Sequence, residues 1–151
     1  MIYKPLLDII PLMIEIDNRT SLHFDEDILK NIASCFTDKE IELIITTNKE
    51  IQGINKQHRH IDKDTDVLSF PYEDMPMAPL GSIVISAEHV ETKAKELGHS
   101  ASDEFTLLFI HGLLHLLGFD HEVDNGEMRE EEAKLIKKFH LPESLIIRNQ
   151  G

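Results

Sequence analysis

The segment from Ser102 to Leu117 constrains the fold most, because it is apolar on almost every face of a helix. Its large apolar residues recur without leaving a polar face: Phe105, Leu107, Leu108, Phe109, Ile110, Leu113, Leu114, Leu116 and Leu117. A helix that is apolar all round lies inside a domain. Ser102 is the predicted N-cap, and Gly118 is predicted to end the helix. The sequence therefore predicts one central, buried helix against which the rest of the chain must pack.

Histidines interrupt this apolar helix and continue just beyond it. His111 and His115 are four residues apart and share one helix face, and Gly118 can turn the chain so that His121 returns to them. Burying imidazoles without partners is costly, and a metal ion on that face would remove the cost. Three neutral imidazoles with an open fourth position are the ligand set of a catalytic zinc. We predict one Zn²⁺ per chain, held by these three residues.

Other interpretations of the histidines stay open at this point. The first two could be core histidines bonded to the backbone, with the third on the surface, and a structural zinc site would need a fourth protein ligand. The spacing also matches the metzincin protease signature, which has a glutamate after the first histidine. Here that position is Gly112, so the base that a peptidase needs is missing.

The remaining elements are predicted from periodicity and caps, and their order is β-α-β-α-β-β-α-α-α. The predicted ranges are Ile9 to Ile16, Asp25 to Phe36, Ile41 to Thr46, Thr47 to about Gln57, Val67 to Phe70, Ser82 to Ser86, Ala87 to Leu97, Ser102 to Leu117 and Glu127 to Phe139. This order predicts an α+β fold in which a small mixed sheet of about four strands packs with about five helices. The length of 151 residues favours a single domain spanning 1–151.

Composition restricts the partners of the chain. The formal net charge is −13, which argues against strong non-specific binding of nucleic acid but allows a local basic site. Basic and imidazole residues do cluster early, at Lys56, His58, Arg59, His60 and Lys63. The single cysteine excludes an intramolecular disulfide. The sequence shows neither a signal peptide pattern nor an apolar stretch long enough to span a bilayer. We therefore expect a cytoplasmic protein.

Three motifs in order resemble the YbeY family of bacterial rRNA-maturation endoribonucleases. The histidine segment from His111 to His121 is similar to the family signature His-Gly-x-Leu-His-Leu-x-Gly-x-Asp-His. The upstream matches are Ile54-Asn55, Arg59, Asp62-Lys63, the run Thr65-Asp66-Val67-Leu68-Ser69-Phe70-Pro71, and Leu80-Gly81 with Ile83-Val84-Ile85-Ser86. The chain departs from the usual pattern at Ile61, Asp64 and Ser82, the last of which replaces an aspartate.

The resemblance implies a zinc-dependent endoribonuclease specific for single strands, acting at the 3′ end of 16S rRNA and in ribosome quality control. Its implied partners are rRNA and the ribosomal subunit or ribosome-associated proteins. Arg59 would bind the substrate phosphate, since a guanidinium matches phosphate bidentately and stays charged. We assign catalytic roles to Arg59 and His115.

Asp120 either orients a ligand histidine or serves as a turn residue after Gly118, and the acidic run Glu130 to Glu132 is expected on a solvated helix face. Two functions from other classes remain. One is a metzincin-like zinc hydrolase of peptides or small molecules, and the other is a non-catalytic, ribosome-associated zinc protein.

Overall fold

A computed structural model describes residues 13–142 of the protein. Within this range the chain forms strands and helices in the predicted order. They are β1 (Ile14–Asn18), α1 (Glu26–Ser34), β2 (Ile41–Thr46), α2 (Asn48–Arg59), β3 (Val67–Pro71), β4 (Gly81–Ser86), α3 (Ala87–Leu97), α4 (Ala101–Leu116) and α5 (Glu127–Lys138). The first strand begins later than predicted, and positions 9–12 of the prediction lie outside the described residues.

The strands form one mixed sheet with the order β1-β2-β4-β3. β1 pairs in parallel with β2 and β2 in parallel with β4, whereas β3 runs antiparallel to β4. All six residues of β4 are buried, as a central strand covered on both faces requires. The predicted α+β fold with a small mixed sheet is confirmed.

The central helix α4 lies between the sheet and the other helices. It contacts β3 and β4 on one side and α1, α3 and α5 on the others. Phe105, Phe109, Ile110 and Leu113 are fully buried within it. This burial confirms the central position that its all-round apolar sequence predicts. Among residues 13–142, no helix has both the length and the apolar character needed to cross a bilayer.

The ends of α4 follow the sequence signals with one correction. Ser100, not Ser102, is the N-cap, because its side chain accepts a hydrogen bond from the Asp103 N–H at 3.0 Å. The Ser102 carbonyl instead accepts from the Thr106 hydroxyl inside the first turn. At the other end Gly118 adopts φ = +99°, a left-handed conformation that favours glycine, so the predicted stop is confirmed.

Candidate metal centre

The structure brings the three predicted histidines together. His111, His115 and His121 each offer a ring nitrogen, and these atoms all lie within 4.8 Å of one another. The Nε2 atoms of His111 and His115 are 3.2 Å apart. The ring centroid of His121 lies 5.3 Å from the ring centroid of His111 and 5.5 Å from that of His115. The cluster is partly open, since the first two residues are half-buried while His121 is exposed.

Helix and turn geometry produce this convergence. His111 and His115 are one turn apart on α4, and the left-handed Gly118 reverses the chain directly after the helix. Asp120 then shapes the turn: its side chain accepts from the Glu122 N–H at 3.0 Å and its carbonyl from the Asp124 N–H at 3.1 Å. The turn places His121 opposite the two helical imidazoles.

The pKa of His115 is lowered mainly by burial, and the neighbouring His111 lowers it further. The Phe119 carbonyl and Asp120 act in the opposite direction, the first through a hydrogen bond to Nδ1 at 3.0 Å. A carbonyl can only accept, so Nδ1 of His115 must carry a proton. Neutral His115 therefore presents the lone pair of Nε2 to the cluster, which is the form that binds a metal.

The donor set fits a divalent ion such as zinc. Two imidazole nitrogens about 2.0–2.1 Å from one tetrahedral ion would be about 3.3 Å apart. The Nε2 atoms of His111 and His115 are separated by nearly that distance, 3.2 Å. The three histidines could therefore hold one ion between them and leave a further position open to a water or a substrate oxygen.

Arg59 is placed on the same cleft as the histidines. It is the last residue of α2, which ends when His60 adopts a left-handed conformation with φ = +61°. A cleft of about 420 Å³ is lined by Arg59, by the three histidines and by Asp120. Arg59 is exposed, and within residues 13–142 it forms no ion pair with Asp62, which faces Lys56 instead. Its guanidinium is thus available to an anion in the cleft.

Glu132 is a residue of the site that the sequence did not predict. Its acidic run predicts a solvated helix face, and for Glu132 that prediction is wrong. Its side chain is only 1% exposed, and its Oε1 lies 3.0 Å from Nδ1 of His111. Glu132 occupies the buried stripe of α5 together with Met128, Leu135 and Ile136. An acidic residue at apolar helical spacing is the signal that could have identified it. Because its carboxylate contacts a histidine of the cluster, Glu132 belongs to the site.

Gly112 has a packing role that explains the missing glutamate of the protease signature. A Cβ atom there would lie 2.9 Å from Ile83 Cγ2, 3.1 Å from Ser69 Oγ and 3.3 Å from Val67 Cγ2. The Gly112 carbonyl also accepts a hydrogen bond from the Ser69 hydroxyl at 3.0 Å. The helix approaches β3 and β4 so closely at this position that a larger side chain would require a shift.

Of two residues in the upstream motifs, one lines the cleft and the other does not. Asp66 lines the cleft, and its backbone carbonyl accepts from the Ser86 N–H at 2.9 Å where β3 begins. Ser82, the departure from the usual aspartate, is buried in β4 between its strand partners Phe70 and Glu42. Ser82 is therefore not one of the residues that line the cleft with the histidines.

The chain is similar to known proteins over most of its length. A family model described as "Endoribonuclease YbeY" matches residues 13–140. The endoribonuclease YbeY of Sulfurimonas denitrificans is 65% identical over 139 residues, which cover 92% of this chain and all of that protein. The endoribonuclease YbeY of Nautilia profundicola is 59% identical and covers 91% of this chain and 99% of its own.

A solved structure gives the same result for the fold. The solution structure of TM1509 from Thermotoga maritima aligns with a TM-score of 0.57 at 28% sequence identity. The alignment covers 91% of this chain and 92% of that protein. The fold of this chain is therefore similar to that of a protein whose structure has been solved.

Proposed function

Since the chain belongs to the YbeY family of endoribonucleases, we propose that it cleaves single-stranded RNA with one divalent ion held by His111, His115 and His121. Family membership makes the chain an RNA-cleaving hydrolase. The observation that carries the proposed mechanism is the position of Arg59, which lines one cleft with the three histidines. A phosphate-binding group and a metal-binding group on one cleft suit a phosphodiester substrate.

Zinc is the proposed ion. Three imidazole donors with an open position are typical of catalytic zinc, and no soft thiolate is near enough to alter that choice, because Cys35 lies at the end of α1. When bound, such an ion would polarise a phosphoryl oxygen and lower the pKa of a coordinated water.

Side chains of the protein would position the substrate and stabilise the negative charge of its phosphate. Cleavage of a phosphodiester accumulates negative charge on the phosphoryl oxygens, and Arg59 offers two parallel N–H donors to them. His115 keeps Nε2 unprotonated because Phe119 holds the proton on Nδ1. Asp120 stabilises the turn that carries His121, because its side chain and its carbonyl accept hydrogen bonds from backbone N–H groups of that turn. We therefore propose Arg59 and His115 as the catalytic residues, with Arg59 also binding the substrate.

Ribosomal RNA is the proposed natural substrate, with the 3′ end of 16S rRNA as the site and ribosome quality control as the wider role. This assignment follows the motif resemblance and the family membership. It implies the ribosomal subunit or ribosome-associated proteins as partners, and a cytoplasmic location. We propose in addition that residues 1–151 form a single metal-dependent hydrolase domain.

The test combines metal analysis with an RNA cleavage assay. The purified protein is expected to contain about one divalent ion per chain and to cut a single-stranded RNA while sparing the same sequence in a duplex. A chelator should abolish cleavage, and adding zinc back should restore it. Full activity in the metal-stripped protein would contradict the proposal.

The same assay identifies the attacking group if the product ends are analysed. A 2′,3′-cyclic phosphate indicates attack by the RNA's own 2′-hydroxyl, and its absence from the first products indicates attack by water. A substrate with a 2′-deoxy residue at the cut site is the matched control, since it can react only with water.

A further inference from the structure

Glu132 is a buried carboxylate, and only one of its two oxygens has a hydrogen-bond partner among the described residues. Its side chain is 1% exposed, and Oε1 faces Nδ1 of His111 at 3.0 Å. Oε2 is buried and has no hydrogen-bond partner among the described residues. Burying a carboxylate in this way is costly unless a positive charge stabilises it. The group that Oε1 contacts is the His111 imidazole, and Arg129 lines the same small cavity as both residues.

The hydrogen bonds fix how the two helical imidazoles are protonated. An ionised carboxylate only accepts, so the contact of Glu132 with His111 requires the proton on Nδ1. The Phe119 carbonyl imposes the same form on His115. Two neutral rings of this kind direct their Nε2 lone pairs at each other across 3.2 Å. Lone pairs at that distance repel unless a cation lies between them.

We propose that Glu132 is a positioning residue of the metal centre, which holds His111 as the Nδ1–H form and supplies a negative charge that strengthens metal binding. This inference rests on the proposed metal-dependent function. A carboxylate behind a ligating histidine fixes the ring orientation and raises the basicity of the ligand. His111 has a charged partner of this kind, whereas His115 has only a neutral carbonyl. His111 is therefore the stronger donor of the two helical ligands.

The position of Glu132 also connects two helices through the metal centre. His111 is on α4, whereas Glu132 reaches it from the buried face of α5. A purely structural role would be to join these helices by a buried polar contact. The two roles differ in one measurable respect, because only the positioning role makes metal affinity and the His111 tautomer depend on the carboxylate.

The experiment compares Glu132→Gln and Glu132→Ala with the wild-type chain. Glu130→Gln is the matched control, since Glu130 is exposed on the same helix. Zinc affinity is measured by competition with a chelator of known affinity. We expect a loss of roughly 10-fold for Glu132→Gln and up to ~100-fold for Glu132→Ala, with no change in the control. Circular dichroism and chemical denaturation report whether each variant is folded.

Nitrogen NMR of the metal-free wild-type chain, at a pH where the imidazoles are neutral, gives a second and independent readout. The proposal expects the His111 proton on Nδ1, and expects Glu132→Gln to populate the Nε2–H form. Observing the Nε2–H form in the wild-type chain would overturn the proposal even if no variant folds. Folded Glu132 variants with wild-type affinity would overturn it as well.

The outcome also distinguishes this inference from the proposed function. If the wild-type chain binds no divalent ion, the metal-dependent function fails, and the role of Glu132 fails with it. If the wild-type chain binds zinc and cleaves RNA while the Glu132 variants bind zinc equally well, only the present inference fails.

Discussion

The two sides of the cleft are built in opposite ways. On the histidine side, imidazoles on the buried helix α4 are held from behind by hydrogen bonds to Glu132 and Phe119. On the other side, Arg59 stands at the exposed end of α2 and has no ion pair within the described residues. A metal site needs fixed ligand geometry, whereas a group that meets a flexible RNA strand needs access. The difference predicts that changes on the histidine side affect folding and metal binding together, while changes at Arg59 affect catalysis alone.

The largest effect is expected from His115→Ala, which removes a predicted metal ligand. RNA cleavage should fall by more than the ~100-fold that losing an outer partner of a metal ligand costs. Zinc content, measured on the same preparation, should fall with it. The control is His23→Ala, because His23 is an exposed histidine outside the cleft. A His115→Ala protein that keeps its RNA cleavage would remove the metal side from the mechanism.

Arg59→Ala should reduce kcat/KM for single-stranded RNA by about 100-fold, the low end for losing a preorganised donor to a developing anion. Arg59→Lys should lie between this variant and the wild type, since lysine keeps the charge but not the paired donors. Zinc content and the denaturation midpoint should not change, because Arg59 is exposed.

Lys56→Ala provides the matched control for Arg59. Lys56 is an exposed cation on the same helix, and its ammonium faces Asp62 at 3.8 Å rather than the cleft. Its removal should leave cleavage close to the wild-type rate. If both variants lose activity equally, the effect is one of general charge and the specific role of Arg59 is wrong.

Gly112→Ala tests the packing of the histidine helix on the sheet. The added methyl would contact Ile83 Cγ2 at 2.9 Å, so α4 or the sheet must shift. We expect the free energy of unfolding to fall by about 1–3 kcal/mol, as for overpacking in a core. Urea denaturation measures it, and zinc affinity should weaken in parallel because His111 is the adjacent residue.

Gly53→Ala is expected to have the opposite effect on stability, because Gly53 lies on the helix that ends at Arg59 and has open space beside it. Gly53 lies in the interior of α2, and no atom lies within 4 Å of the position that its Cβ would take. Alanine there should raise the free energy of unfolding by about 0.4–1 kcal/mol. A stabilised Gly112→Ala chain would contradict the close approach of α4 to the sheet, and a destabilised Gly53→Ala chain would contradict the open space beside α2.

A small effect is also expected at the start of the histidine helix. Ser100→Ala should lower the free energy of unfolding by about 1 kcal/mol, because the Asp103 N–H loses its acceptor. Ser102→Ala should change it by less than about 0.5 kcal/mol, since the Ser102 side chain does not cap the helix. The reverse order of these two values would restore the N-cap that the sequence predicts.

Much of the fold was predictable because its signals are local. The apolar circumference of α4, the glycine at its end and the alternation of strands and helices are all visible in short windows of the chain. The N-cap was misplaced by two residues, because serines at 100 and 102 carry the same local signal. The structure shows that the helix begins at Ala101, so the Ser100 side chain is the one that accepts from a free N–H.

The site was predictable in part for the same reason. His111, His115 and His121 lie within one helix and one turn, so their spacing alone predicts convergence. Arg59 is distant from the histidines in the sequence, and the motif resemblance, rather than any local pattern, connected it with them. Glu132 was not predicted, because the run of three glutamates has the composition of a solvated helix face. Composition alone does not show that the third of them, Glu132, is buried against His111.

Short stretches of the sequence were enough to predict the central helix and the convergence of the three histidines, and to show a glycine where the protease signature has its glutamate. Each of these features depends on neighbours within a few residues. Three features became visible only in the tertiary structure. They are the contact of the Glu132 carboxylate with His111, the close packing at Gly112 and the position of Arg59 on the histidine cleft. Those facts depend on distances between elements that are far apart in the chain, and such distances are set by how α2, α4 and α5 pack on the sheet.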